Sequence, residues 1–230
     1  MALGAIVIAT SHSRHDRLEE RVRKRLPDRR VVRLRTQQDL SCERLEEIKP
    51  DFVLFPHWSW LIPEDIHTRF DCVIFHMTDL PYGRGGSPLQ NLIVRGHKET
   101  VVTAFKCLTA FDAGPVYLKR PLSLVGTAEE ILGHASVLVE EMIVEIVRTR
   151  PVPVPQQGHV VEFKRRRPVD GDIARLETLE QVHDFIRMLD ADGYPRAFAN
   201  IGHLHLEFSE TKPGDRFVEA KVRITKNSDS

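Results

Sequence analysis

Short apolar runs alternate with polar stretches of helical character through the first half of the chain, and this alternation constrains the fold more than any other feature. Parallel strands are buried on both faces, so they read as continuous apolar runs, and they need helical crossovers between them. We predict strands at residues 5–9, 31–34, 51–55, 72–75, 101–107 and 116–118, with helices at residues 16–26 and 42–48. The pattern therefore predicts an α/β fold with a Rossmann-like, doubly wound, mostly parallel sheet.

A long helix ends this first part of the chain. Thr127 and Glu130 have the spacing of a capping box, and apolar residues recur at helical spacing as far as residue 146. Three prolines lie just after Arg150 and cannot continue a helix. We predict a helix from Thr127 to just before Arg150, followed by an extended linker.

The region after the linker is small and mixed in character. A second capping-box pair predicts a helix at residues 178–189, and two runs of alternating apolar and polar residues, 203–208 and 216–224, predict a β-hairpin. We therefore divide the chain into a doubly wound domain, residues 1–150, and a linker with a small α+β appendage, residues 151–230.

The composition excludes several classes of protein. The chain has 33 Lys and Arg against 33 Asp and Glu, and this zero net charge argues against a protein that grips nucleic acid over a broad surface. Its three cysteines lack metal-ligand spacing, so we expect neither a disulfide framework nor a metal site. No run approaches the roughly 18 apolar residues of a membrane span. We expect a cytoplasmic protein without membrane attachment.

Polar and aromatic side chains follow the third, fourth and fifth strands of the predicted sheet. Ligands of doubly wound sheets bind beyond the carboxyl ends of the strands, so we expect these side chains to meet at one edge. Taken singly, each has a structural explanation: a hydrogen-bonded histidine, a turn-forming aspartate or a core aromatic. The glycines that follow them form either a flexible loop or a set of amides for a ligand. The polar and aromatic residues are His57, Trp58, Trp60, His76, Asp79 and Asp112.

The order of the segments between residues 51 and 198 resembles that of the 10-formyltetrahydrofolate-dependent formyltransferases. The resemblance rests on an LP-x-x-RG-x-x-P loop at 80–88, a G-x-x-E-T-x-V-T run at 96–103 and a D-A-G turn at 112–114. The segment WSWLIP, 58–63, is similar to the segment through which the family contacts folate. The short C-terminal hairpin resembles the sugar N-formyltransferases more than the tRNA-binding members.

The resemblance implies roles for individual residues. The family's catalytic histidine falls on His76, which we expect to move the proton. Its catalytic aspartate falls on Asp112, which we expect to orient the imidazole and to help deprotonate the incoming ammonium. Its catalytic asparagine, two residues before the histidine, falls on Ile74. Isoleucine cannot donate a hydrogen bond to the tetrahedral oxyanion. Either another donor replaces the asparagine, or His76 alone suffices, or the chain catalyses inefficiently; we favour a replacement. The candidates for this donor are His57, Thr78, Asn91 and the amides of Gly85 and Gly86.

The resemblance also implies binding residues. Folate is expected to lie against apolar and backbone groups of the segments after the third and fifth strands, and the acceptor amine beside the glycine-rich loop. The cofactor-binding residues are then Trp58, Trp60, Leu61, Ile62, Thr109 and Asp112, and the acceptor-binding residues are Arg84, Gly85 and Gln90, with Lys98 as a further candidate.

The implied function is transfer of a formyl group from 10-formyltetrahydrofolate, without a metal, to the amino group of a small acceptor such as a nucleotide-linked amino sugar. Three alternatives remain open: formylation of methionyl-tRNA or another amine, hydrolysis of formyltetrahydrofolate, and folate binding with weakened catalysis. We expect a small-molecule acceptor rather than a nucleic acid, and a homodimer is compatible with the sequence.

Overall fold

The computed structural model describes residues 4–226, and their contacts form two compact units. The first unit comprises the chain up to Gly85, together with Val101–Leu122 and Gly133–Glu162. The second comprises Gly86–Thr100, Ser123–Leu132 and the chain from Phe163 onward. The division at residue 150 remains a prediction, because compact contact units need not coincide with separately folding domains.

The described chain contains eleven strands and six α-helices. The strands are β1 (Ala5–Thr10), β2 (Arg30–Leu34), β3 (Pro50–His57), β4 (Cys72–His76), β5 (Tyr82–Gly85), β6 (Glu99–Lys106), β7 (Val116–Ser123), β8 (Val161–Phe163), β9 (Ala197–Ile201), β10 (Leu204–Pro213) and β11 (Val218–Lys226). The helices are α1 (Leu18–Arg25), α2 (Cys42–Ile48), α3 (Glu64–His67), α4 (Pro88–Val94), α5 (Ala128–Thr149) and α6 (Leu179–Met188).

The main sheet has six strands in the order β2-β1-β3-β4-β6-β7. The pairs β1–β2, β1–β3 and β3–β4 are parallel, and every residue of β1, which lies between β2 and β3, is buried. This confirms the predicted α/β fold with a mostly parallel sheet. In contrast, β6 runs antiparallel to β4, with Thr103 opposite His76 and Lys106 opposite Val73. The strand pair β5–β8 forms a separate two-stranded sheet.

Both predicted capping boxes are present. At the start of α5, the Thr127 amide donates to the Glu130 carboxylate (2.8 Å) and the Glu130 amide donates to Thr127 Oγ1 (3.3 Å). At the start of α6, Thr178 and Gln181 exchange the equivalent bonds. These contacts satisfy amides that would otherwise lack partners in the first helical turn, and they fix where each helix begins.

The second unit contains a three-stranded antiparallel sheet in the order β11-β10-β9. The strands β10 and β11 form the predicted hairpin, whereas β9 was not predicted. Helix α6 packs against β10. No helix within residues 4–226 combines the length and the apolar character that crossing a bilayer requires.

Candidate active site

Two histidines end neighbouring strands of the main sheet. His57 is the last residue of β3 and His76 is the last residue of β4. The pairing of β3 with β4 runs as far as Phe55 opposite Ile74, and both histidines lie just beyond it. Because β3 and β4 are parallel, both histidines lie at the carboxyl edge of the sheet, where ligands of such sheets bind.

The imidazole of His76 is oriented by the short strand β5. Its Nε2 lies 2.9 Å from the carbonyl oxygen of Gly83, which also accepts a hydrogen bond from Thr78 Oγ1 at 3.2 Å. A carbonyl oxygen can only accept, so Nε2 carries a proton and donates it. In the neutral ring, Nδ1 is then the nitrogen with a free lone pair.

The carboxylate of Asp112 is held by the same strand. Its Oδ2 accepts a 2.8 Å hydrogen bond from the amide of Gly85, and the residue is only 9% exposed. The backbone of Asp112 has a φ of 49°, which L-residues seldom adopt. His76 and Asp112 therefore attach to β5 at positions two residues apart. We expected Asp112 to orient the imidazole directly, but the carbonyl of Gly83 performs that task.

Our prediction of how the chain brings Asp112 to the site was wrong. We expected the strand before it to deliver Asp112 to the carboxyl edge of a parallel sheet. Because β6 is antiparallel to β4, its last residue, Lys106, lies beside Val73, near the opposite end of β4. The unpredicted strand β5 instead carries contacts to both His76 and Asp112.

Gln156, in the proline-rich linker, forms hydrogen bonds that hold Asp112 and Arg84 in place. Sequence reasoning missed this residue. Its Nε2 donates to the carbonyl oxygens of Asp112 (2.8 Å) and Gly114 (2.9 Å). Its Oε1 accepts from Arg84 Nε (3.2 Å) and Nη2 (2.7 Å). Two backbone hydrogen bonds between Val154 and Val116 hold the linker extended beside the start of β7. The sequence predicted the extended conformation, but no motif marked Gln156.

Four buried polar atoms without a hydrogen-bond partner lie near the carboxyl ends of β1, β2 and β3. Ligands of open α/β sheets bind at this edge. Buried polar groups in native proteins are nearly always paired, so such a concentration is typical of a site rather than of a core. Within residues 4–226, these atoms are Thr10 Oγ1, His15 Nδ1, Arg33 Nε and Trp58 Nε1.

Two histidines at this edge, His15 and His57, are neutral at pH 7. Burial, assisted by neighbouring His12 and Arg14, lowers the pKa of His57 to about 4. Burial, together with the nearby side chains of His57, His12, Arg14 and Arg33, lowers the pKa of His15 to about 3. The ring of His57 lies edge-on to that of His12, with the centroids 5.0 Å apart. A neutral His57 keeps one N–H donor at pH 7.

Ile74 has become part of the apolar core. It packs against a buried cluster that includes Phe55, Cys72 and Cys107. Burial raises the pKa of Cys107 to about 11, so its thiol stays protonated at neutral pH and is a poor nucleophile. The position of the family's asparagine therefore contributes packing and no polar group.

Four of the five candidate replacements for that asparagine already use their donors. Thr78 donates to Gly83, the Gly85 amide to Asp112, and the Gly86 amide to the Phe163 carbonyl. The side-chain amide of Asn91 donates to three backbone carbonyls. His57 is the candidate whose ring N–H is not committed to a described residue.

The predicted folate-contacting segments present apolar surface. Trp58 lies edge-on to Trp60, with the centroids 4.9 Å apart, and Trp60 is 37% and Leu61 79% exposed. Ile62 belongs to the buried cluster that also contains Cys107, so one core anchors both segments. Thr109 is exposed. Sequence reasoning missed two exposed apolar residues beside it, Leu108 and Phe111.

The predicted acceptor-binding residues have structural partners. Arg84 is engaged by Gln156, and the Gly85 amide by Asp112. Gln90 is 6% exposed and donates to the Met188 carbonyl within the second unit. Their contacts with an acceptor therefore remain predictions. Within residues 4–226, no group of three His, Cys, Asp or Glu side chains is arranged to hold a metal ion.

Comparisons with known proteins agree with the sequence resemblance. The family model described as "Methionyl-tRNA formyltransferase, C-terminal domain" matches residues 168–225. A methionyl-tRNA formyltransferase from Clostridium beijerinckii is 24% identical over 84% of this chain and 65% of its own length. HypX from Aquifex aeolicus, solved in complex with tetrahydrofolic acid, shares the fold at 20% identity, with a TM-score of 0.71 over 91% of this chain and 38% of its own.

The chain spans between about a third and two thirds of the length of the curated relatives that it matches. A solved methionyl-tRNA formyltransferase from Clostridium thermocellum matches far more completely. It is 43% identical, the match covers 98% of this chain and 100% of that one, and the TM-score is 0.94. The chain therefore belongs to the 10-formyltetrahydrofolate-dependent formyltransferase family, whose members include the methionyl-tRNA formyltransferases.

Proposed function

We propose that this protein transfers a formyl group from 10-formyltetrahydrofolate to an acceptor amine. The observation that carries the proposal is the joint attachment of His76 and Asp112 to β5 in a member of this family. Donor binding is supported by the exposed apolar surface of Trp60 and Leu61, which suits a flat ligand read mainly through backbone groups.

The chemistry requires two proton movements. The neutral amine attacks the formyl carbon, the bond from that carbon to N10 of the folate breaks, the new amide nitrogen loses a proton and N10 gains one. The Nδ1 of His76 is the ring nitrogen able to take a proton, because Nε2–H is bound to Gly83. A positioned acid–base group of this kind contributes about 10²- to 10⁴-fold.

Asp112 and His57 complete the proposed set. One carboxylate oxygen of Asp112 is engaged by Gly85, which leaves Oδ1 to hold the acceptor as an ammonium before it loses its proton. His57 supplies the N–H that stabilises the tetrahedral oxyanion, in place of the side chain missing at Ile74. A neutral imidazole suits this role because it donates without adding a competing acid.

The comparisons favour methionyl-tRNA over an amino sugar as the acceptor. Two of the proteins reported above are named methionyl-tRNA formyltransferase, including the one that is 43% identical. We therefore put methionyl-tRNA first. The zero net charge favours a small amino sugar as the second candidate, since tRNA binding relies on phosphate neutralisation.

The acceptor is tested by incubating the full chain with 10-formyltetrahydrofolate and either methionyl-tRNA or a panel of nucleotide-linked amino sugars. Mass spectrometry of the products distinguishes the outcomes. Formylmethionyl-tRNA supports the first candidate, and a formylated sugar supports the second. Formate release without any acceptor identifies a hydrolase, and donor binding without turnover identifies a folate-binding module; either result would overturn the proposal.

A further inference from the structure

A cavity of about 450 Å³ lies entirely among residues of the second unit. Helix α6, the segment before α5 and the turn between β10 and β11 line it. Its volume falls within the range of roughly 300–1,000 Å³ that is typical of small-molecule sites. Lys98, which the sequence analysis named as a further acceptor-binding candidate, lines this cavity. None of the lining residues takes part in the proton transfers proposed above, so the cavity needs its own explanation.

A buried guanidinium lines this cavity. The side chain of Arg187 is 6% exposed, and its Nε donates to Asp184 Oδ1 at 2.6 Å. Its Nη1 donates to the carbonyl oxygens of Leu124 (2.6 Å) and Gly126 (3.0 Å). Its Nη2 has no hydrogen bond to any residue in 4–226, yet this nitrogen is not sealed from solvent. The N–H groups of Nη2 are therefore available to a carbonyl oxygen in the cavity.

The cavity lining has more unpaired hydrogen-bond acceptors than unpaired donors. Asp184 Oδ2 and both carboxylate oxygens of Asp215 have no partner in the described part of the chain, and both residues line the cavity. Lys98 and Glu180 pair with one another at 3.1 Å. Asp184 is buried and Asp215 is exposed, so a ligand that brings more donors than acceptors suits this lining best.

The charge of the lining disfavours an anion. Two cationic side chains, Lys98 and Arg187, face three carboxylates, so the formal charge is −1 when His183 is neutral. Burial beside Arg187 lowers the pKa of His183, which keeps it neutral at pH 7. A phosphate or carboxylate would add negative charge to this lining, whereas a neutral ligand would not.

The remaining lining is apolar and suits a flat ring. Leu124, Val125, Leu179, Pro213 and Val218 line the cavity beside the polar groups. We propose that the cavity binds a neutral heterocycle through a 2-amino-4-oxopyrimidine edge, which guanine and pterin share. The ring carbonyl accepts from Arg187, while the ring N–H and the exocyclic amino group donate to Asp184 and Asp215.

The proposal is tested by calorimetric titration of the full chain with guanosine, inosine, adenosine and 6-hydroxymethylpterin. Inosine lacks only the amino group of guanosine, so we expect it to bind about tenfold more weakly, the loss of one hydrogen bond to a carboxylate. Binding of guanosine alone identifies a nucleotide as the source, and binding of the pterin identifies a folate. Equal binding of guanosine and adenosine, or binding of neither guanosine nor pterin, overturns the proposal.

Variants locate the site. Asp215→Asn removes a free carboxylate and Val125→Trp fills the cavity, and each should weaken guanosine or pterin binding at least tenfold. Asp192→Asn is the matched control, because Asp192 is an exposed carboxylate of the same unit outside the lining. Unchanged affinity in both lining variants would contradict the assignment. Formyl transfer by Asp215→Asn should stay at the wild-type rate, so this test does not depend on the proposed activity.

Discussion

Replacing Gln156 by alanine should slow formyl transfer without abolishing folding. The substitution removes two hydrogen bonds to the guanidinium of Arg84 and two to the carbonyls of Asp112 and Gly114. Water can replace part of this set because Gln156 is only partly buried, so we expect the free energy of unfolding to fall by about 2 kcal/mol.

The effect on turnover follows from the backbone of Asp112. Its left-handed conformation costs roughly 1–2 kcal/mol in an L-residue, and Gln156 holds the carbonyl of that residue in place. Without the side chain of Gln156, the backbone at Asp112 can relax out of its left-handed conformation. The conformer that supports catalysis then lies above the relaxed conformer by a similar free energy. We therefore expect kcat to fall about 5- to 30-fold, while KM for the donor changes less than about threefold.

The assay is steady-state formyl transfer from 10-formyltetrahydrofolate, combined with urea unfolding of the same variants. Gln157→Ala is the matched control, because Gln157 is the exposed neighbour of Gln156. Gln156→Glu keeps the acceptor for Arg84 but sets an oxygen against two carbonyls, so it should lose as much turnover as the alanine variant. A kcat within twofold of wild type in both Gln156 variants would refute the reasoning.

Three further predictions concern stability. His15 and His57 are neutral when folded and have pKa values near 6.5 when unfolded, so the unfolded chain binds more protons below pH 6.5. Urea unfolding should show stability falling by about 1.6 kcal/mol in total for each histidine between pH 6.5 and 5, and a flat profile would contradict this. Gly114→Ala sets a Cβ 1.7 Å from a backbone carbonyl oxygen and should lower the free energy of unfolding by about 3 kcal/mol or more. Gly133→Ala has open space around the new Cβ inside α5 and should raise it by about 0.5–1 kcal/mol. Equal melting temperatures for the two variants would disprove this contrast. Ile74→Asn inserts an amide into the apolar cluster and should cost about 2 kcal/mol, and a large gain in kcat from it would show that His57 does not replace the missing donor.

The main sheet could be predicted because its signals are local. Buried parallel strands read as uninterrupted apolar runs, and the predicted helix at residues 42–48 coincides with α2 because Ser41 caps its first turn and Lys49 adopts a left-handed conformation at its end. The capping boxes likewise fixed where α5 and α6 begin. Such features depend on residues close together in the chain.

The elements that assemble the site lack such signals. Strand β5 has the sequence Tyr-Gly-Arg-Gly, and both glycines have positive φ values, so the sequence favours a loop. The antiparallel direction of β6 depends on its pairing with β4, which an apolar run does not specify. Gln156 acts on Asp112 across 44 positions of chain, and only the folded backbone brings them together.

The most direct test of the account is single-turnover formyl transfer by His76→Ala and Asp112→Ala, compared with wild type and with Gln157→Ala. If Nδ1 of the imidazole moves the proton and the carboxylate holds the amine, each variant should lose about 10²- to 10⁴-fold in rate while folate still binds. Rates within about twofold of wild type in both variants would show that this pair is not the catalytic centre.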